Sequence, residues 1–254
     1  PTLSLVYLPH LDYNLQRLGP EDKAIKQDLQ SIDTIVGELL DFYAKRGVQV
    51  MLLSEYGITP VNKAIHLNRL FREQGWLTIK EELGRELLDA GASQVFAVAD
   101  HQVAHIYINN DALHSEVKSL LENTTGVQAV LDDDARHRRA GDLIAVADEN
   151  AWFTYYYWMD DARAPDFART VDIHRKPGFD PVELFIDPQL AFPKLRIAQR
   201  LLQKKLGFRM LMDVIPLDAA LVKGSHGCRP ISRADWPVAI VPEVGWLEGD
   251  TLQS

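Results

Sequence analysis

Cysteine is almost missing. A single residue, Cys228, stands in a chain of 254, which excludes an intramolecular disulfide and any Cys-rich zinc site and fits a reducing compartment. Long apolar runs are missing too. Stretches such as Val50 to Leu53 and Val95 to Ala99 fall far short of the roughly 20 residues that a membrane helix needs. Basic charge is in deficit, with 27 Lys and Arg against 36 Asp and Glu for a net charge of −9. Such a surface disfavours nucleic-acid backbone and anionic membrane as partners and leaves only a locally positive pocket as an anion site. No internal repeat, low-complexity tract or flexible linker interrupts the chain, and no leader peptide is visible. A cytoplasmic location is therefore the expectation. The chain begins at Pro1 and enters an apolar stretch at once, so the natural start is expected upstream.

What is present is ordinary for a soluble globular protein: 46% hydrophobic and 25% charged residues. The length suits one large α/β domain, or one domain with a sizeable insertion.

Leu3 to Leu8 is an apolar run bounded by Pro9 and reads as a buried strand; a polar turn with Asp12, Asn14 and Gln16 follows, and Gly19-Pro20 opens a helix. From Glu21 to Arg46 the residues Ile25, Leu29, Ile32, Val36, Leu39, Leu40 and Tyr43 fall on one helical stripe, and Gly47 is the stop. Val48 to Leu53 is a second strand, ending in Ser54-Glu55-Tyr56-Gly57. Strand, helix, strand predicts a βαβ unit in a parallel sheet, with the Asp12 and Glu55 loops at the same sheet edge, where ligands bind in such folds. Further on, the pattern predicts a helix over 64–75 ended by Gly75, and strands at Trp76–Ile79, Val95–Ala99, Val103–Ile108, Val127–Leu131, Leu143–Ala147 and Trp152–Tyr157. Helices are expected at His114–Asn123 and Phe192–Gly207. Short loops make the region around 76–190 a small antiparallel lobe inserted in the main sheet. Asp132-Asp133-Asp134 lacks the alternating spacing of a calcium loop and reads as a solvated turn.

Three short motifs carry a resemblance. Asp12, Gln16 four residues on, and Gly19-Pro20 resemble the Pro-Asp-x-x-Gly-His-x-x-Gly-Pro motif of type I phosphodiesterases and nucleotide pyrophosphatases, in the alkaline phosphatase superfamily, with Gln16 at the His position. Ser54-Glu55-Tyr56-Gly57 falls where that family has Ser-Asp-His-Gly, and Gly224-Ser225-His226-Gly227 resembles its late Gly-x-His-Gly segment. The resemblance implies an α/β fold of the alkaline phosphatase type, a mostly parallel sheet flanked by helices, over residues 1–254 without its N-terminal part. It implies metal-dependent hydrolysis of a phosphodiester, nucleotide pyrophosphate or related phosphate ester, with two divalent ions, zinc or manganese. Asp12, Gln16 and His226 would hold one ion, and Glu55 with Tyr56 the second. The family's Thr or Ser nucleophile would lie upstream of Pro1, so this chain alone is expected to be inactive.

Carboxylate and neutral imidazole suit such ions, and a carboxamide oxygen is a weaker donor than His, as is a phenol at neutral pH. Asn14, His101, His174, Arg175 and Lys176 are further candidates for contacts to a small phosphate ester or nucleotide. Tyr155, Tyr156, Tyr157 and Trp158 would stack a base or, more commonly for such a run, fill a core. Two other readings stay open: another hydrolase or mutase of the same superfamily, and a non-catalytic binding module with a degenerate metal site.

Overall fold

The clearest period-two alternation in the chain lies between Val95 and Ala147, and it forms the largest sheet. In the computed structural model, which describes residues 3–132 and 137–243, the elements run in order as follows. Helices α1 (Asp12–Leu18) and α2 (Ile25–Ala44) precede short strands β1 (Leu52–Leu53), β2 (Thr59–Pro60) and β3 (Lys63–Ile65), and helix α3 (Leu67–Glu73). A hairpin of β4 (Ile79–Glu82) and β5 (Arg85–Leu88) leads into β6 (Val95–Asp100), β7 (Val103–Ile108), α4 (His114–Glu122), β8 (Val127–Leu131), β9 (Leu143–Ala147) and β10 (Ala151–Phe153). After an irregular stretch come α5 (Pro193–Lys205), β11 (Gly224–Ser225) and β12 (Ala239–Ile240).

Strands β6, β7, β9 and β8 form an antiparallel sheet in that spatial order. Because successive side chains alternate faces, Val95, Ala97, Ala99, Ala104, Ile106, Leu143, Ala145 and Ala147 all turn to one side and are buried. They share a core with Leu67 and Phe71 of α3, Val117 and Leu121 of α4, and the run Tyr155 to Trp158. That aromatic run is core packing, each ring at most 1% exposed. At Ala97 the edge of β6 is covered by a side chain: Asn68 of α3 donates from Nδ2 to the Ala97 carbonyl at 2.9 Å and accepts from the Ala97 N–H at 2.7 Å, while at Ala99 the backbone of Gly178 and Phe179 covers it. A carboxamide here replaces the missing neighbouring strand.

The expected mostly parallel sheet is not formed among the described residues. The fold is mixed α/β with small sheets, and the one parallel strand pair among the described residues is β3 with β10. Residues 3–8 pair with no strand, and Leu5 is 89% exposed; a strand's backbone groups need a neighbour, and apolarity alone supplies none. Of the segment 48–53 only β1 pairs, and it does so antiparallel with β12. The βαβ unit is therefore absent, although its helix is present as α2, with Gly47 at φ 65° just past its end. Residues 64 and 65 belong to β3 rather than to the helix expected there, because β10 pairs with them. In the Asp132 run, Asp133 and Asp134 lie outside the described residues.

Candidate metal and phosphate site

Helix α1 places Asp12 in its first turn and Gln16 one turn later on the same face. The Gln16 Nε2 donates to Asp12 Oδ1 at 2.8 Å, and the side chain is 1% exposed. Strand β11 closes against this turn: the Lys223 N–H donates to the Gln16 carbonyl at 2.8 Å. The approach is so tight that a Cβ on Gly224 would lie 2.2 Å from the Leu15 carbonyl oxygen, which only glycine tolerates.

The pairing of β2 with β11 then fixes the rest. Ser225 lies opposite Thr59 in antiparallel register, so the residue after Ser225 and the residues before Thr59 come together. His226 and Tyr56 meet there as stacked rings with centroids 3.6 Å apart and planes 6° apart. The Tyr56 hydroxyl continues to Asp12 Oδ1, to which it donates at 3.1 Å. Tyr56 thus links the Asp12 carboxylate to the late residue His226.

The far side is walled by the β6–β7 hairpin. His101, at its tip with φ 57°, packs against His226 with ring centroids 3.9 Å apart and against Phe179 at 4.6 Å. The next residue, Gln102, donates its N–H to the His226 carbonyl at 2.8 Å. Its buried carboxamide bonds Thr59, the carbonyls of Glu149 and Ala151, and the Cys228 N–H.

Burial sets the charge state of these groups. It pushes the His101 imidazole down to about 3, with His226 adding to the effect. Burial also lowers His226, against the opposing pull of Asp12, Asp100 and Glu55. Both rings are therefore neutral at physiological pH. The Tyr56 phenol is pushed far up by burial and by the adjacent Asp12 carboxylate, so it stays a protonated donor.

Asp12, Gln16, Tyr56, His226 and His101 are thus brought together, while Glu55 beside them is exposed to solvent. Asn14 is turned to α2, where its Nδ2 donates to Asp28 at 2.8 Å. His174 is exposed. Arg175 is ion-paired with Asp166 and Asp172. Lys176 is fully buried between Asp180 at 2.8 Å and Glu183 at 2.6 Å, so its charge is already matched. Sequence reasoning passed over Gln102, His10 and Ser225. A lone Gln in a hairpin tip carries no chemical signature, and the buried His10 Nδ1 and Ser225 Oγ, both without a hydrogen-bond partner, show only in three dimensions.

Among the described residues no group of three or more His, Cys, Asp and Glu is arranged to hold a metal. The donor set that does exist includes a carboxamide. Gln16 Oε1 is buried with no hydrogen-bond partner; a carboxamide oxygen, a carboxylate such as Asp12 and a neutral imidazole such as His226 are donor types that could hold a divalent ion. The protonated Tyr56 phenol does not suit a second.

The family model for type I phosphodiesterase / nucleotide pyrophosphatase matches residues 1–180. The chain belongs to that family. Another similar sequence is an uncharacterized pyrophosphatase/phosphodiesterase of Schizosaccharomyces pombe, 32% identical over 77 residues, which are 28% of this chain and 16% of that protein. Among solved structures, this phosphodiesterase-family chain is similar to phosphonoacetate hydrolase from Sinorhizobium meliloti in complex with phosphonoacetate, with TM-score 0.40 and 18% identity over 56% of this chain and 36% of that one. It is similar also to an inactive form of murine ectonucleotide pyrophosphatase/phosphodiesterase 5 in complex with AMP, with TM-score 0.40 and 18% identity over 59% of this chain and 38% of that one. The chain spans about a sixth of the curated relative's length and little more than a third of either solved chain.

Proposed function

We propose that the full-length protein hydrolyses a phosphodiester, nucleotide pyrophosphate or related phosphate ester, and that Asp12, Gln16 and His226 hold one divalent ion, zinc or manganese, for that reaction. The observation that carries this reading is the convergence of the three family motifs: Asp12 bonded to Gln16 and to Tyr56, and Tyr56 stacked on His226. An ion held there would supply stabilisation of the negative charge that develops on phosphoryl oxygens. The chain's own residues prepare the place. Burial keeps the His226 imidazole neutral, as a ligand must be. Tyr56 and Gln16 orient the Asp12 carboxylate, and Gln102 holds the His226 backbone. The attacking hydroxyl is proposed, from the family resemblance, to be a Thr or Ser preceding Pro1, so the 254-residue chain by itself would not turn over substrate.

One observation favours a second reading, a binding module that keeps the fold without the ion: Asp12 Oδ1 already accepts two hydrogen bonds, from Gln16 and from Tyr56. Hydrolysis of bis(p-nitrophenyl) phosphate by the full-length protein with added Zn²⁺ or Mn²⁺ decides between them. Turnover abolished by Asp12→Ala with His226→Ala supports the hydrolase. No turnover with either ion, or turnover indifferent to the double substitution, overturns it.

A further inference from the structure

Away from that site, α5 and the chain that follows it close a cavity of about 410 Å³ against β5 and the turn at residues 164–169. Its walls share no residue with the Asp12–His226 site. Four of its lining residues are arginines, Arg85, Arg169, Arg200 and Arg209, against two acids, Asp166 and Asp213. In a chain of net charge −9 this is a local reversal of sign.

The acids are used up in holding the walls in place. Asp213 is gripped by Arg200, from Nε at 2.7 Å and Nη2 at 2.6 Å, and also by Arg196. Asp166 is shared by Arg175 at 3.0 Å and Arg209 at 3.3 Å. Asp213 therefore carries two guanidinium groups and leaves one positive charge over, whereas Arg175 and Arg209 are balanced by Asp166 and Asp172. Arg169 pairs with Asp187 at 3.4 Å. Arg85 pairs with no carboxylate among the described residues; its Nη1 donates to the carbonyls of Ala162 at 2.7 Å and Ala164 at 3.4 Å. The backbone closes the frame, with the Ile215 N–H on the Arg169 carbonyl at 3.0 Å.

We propose that this cavity is a binding site for a phosphate dianion, either free inorganic phosphate or the phosphate of a monoester. Guanidinium forks match phosphate oxygens in pairs and keep their charge at any physiological pH. The volume is that of a small-ligand site. The excess of arginine over acid supplies the two charges that a dianion needs, and the fixed walls lower the ordering cost of binding. The proposal stands independently of the hydrolase reading.

Isothermal titration calorimetry on the full chain tests it, at constant ionic strength set with chloride, with sodium phosphate in one arm and AMP as a phosphate monoester in the other. The expected result is saturable binding with one site per chain, weakened about tenfold or more by Arg85→Gln with Arg209→Gln, as losing charge-assisted hydrogen bonds implies. Binding should be unchanged by Asp12→Ala with His226→Ala. AMP binding more tightly than phosphate identifies a monoester as the ligand; equal affinity identifies the free anion. If the Arg85 and Arg209 double variant loses its circular dichroism, Arg85→Gln alone makes the same decision, since that side chain bonds only two carbonyls. Absence of saturable binding at millimolar phosphate and AMP, binding indifferent to the arginine substitutions, or loss of binding in the Asp12 and His226 variant each overturns the proposal.

Discussion

The phenol ring of Tyr56 lies flat on the imidazole of His226, with planes 6° apart, while its hydroxyl reaches Asp12. One side chain thus joins the loop after β1 to both α1 and the segment after β11. Tyr56→Ala removes the ring and the hydrogen bond together and is expected to cost about 2–3 kcal/mol of stability. Tyr56→Phe, which keeps the stack, should cost about 1 kcal/mol. Urea unfolding measures both; equal losses would mean that the stacking contributes nothing.

Gly224 tests how closely β11 approaches α1. A Cβ placed 2.2 Å from the Leu15 carbonyl oxygen forces the two apart, and Gly224→Ala is expected to cost about 1–3 kcal/mol. Thermal unfolding reads the change, and an unaltered midpoint would contradict the contact.

Asn68 caps the buried edge of the central sheet at Ala97. Asn68→Leu keeps the branched shape at a larger volume and leaves the Ala97 N–H and carbonyl without partners, so a loss of about 3 kcal/mol is expected. A loss below about 0.5 kcal/mol in chemical denaturation would show that water reaches that edge.

His66 gives the fold a pH dependence. Burial, helped by Arg69, lowers its imidazole from 6.5 to about 4, and its Nδ1 lies 2.7 Å from Thr154 Oγ1. The unfolded chain takes up this proton near pH 6.5 and the folded one only near 4, so stability is full above pH 6.5 and is lost as pH falls through that window. The contribution lost by pH 4 is about 3 kcal/mol. Unfolding of the wild type and of His66→Gln, followed from pH 7 to 4, should show a shallower slope in the variant; parallel slopes would refute the assignment.

Metal content checks the donor set directly. Native mass spectrometry of the full-length protein supplied with Zn²⁺ is expected to show one ion bound by Asp12, Gln16 and His226, lost in Asp12→Ala with His226→Ala. An ion retained by the double variant would place it elsewhere.

The elements best read from sequence are those whose stability is local. Helix α2 follows from a 3.6-residue stripe and a glycine stop, and α5 ends two residues before Gly207, whose φ is 83°. Strands β6, β7, β8 and β9 follow from alternation. Sheet membership was not legible. The apolar run 3–8 carries the composition of a buried strand, yet composition says nothing of which neighbour is there to pair with it. At the site, the motifs pointed to Asp12, Gln16, Glu55, Tyr56 and His226; the structure links Asp12, Gln16, Tyr56 and His226 through side-chain contacts and leaves Glu55 exposed. Gln102 and the outward turn of Asn14 toward Asp28 escaped, because both depend on what lies opposite in space. The burial of Lys176 escaped for the same reason: its acids at Asp180 and Glu183 were visible in the sequence only as neighbours.

The tight seat of β11 on α1 has a consequence for synthesis. The chain leaves the ribosome from its N-terminus, and domains begin to fold as they emerge. Asp12, Gln16 and Tyr56 are then in place long before Lys223 arrives to take the Gln16 carbonyl and His226 arrives to cover Tyr56. Until those residues have emerged, the Gln16 carbonyl and the Tyr56 ring lack these partners. A ribosome-bound chain stopped before residue 222 would carry the central sheet and leave this pocket unfinished.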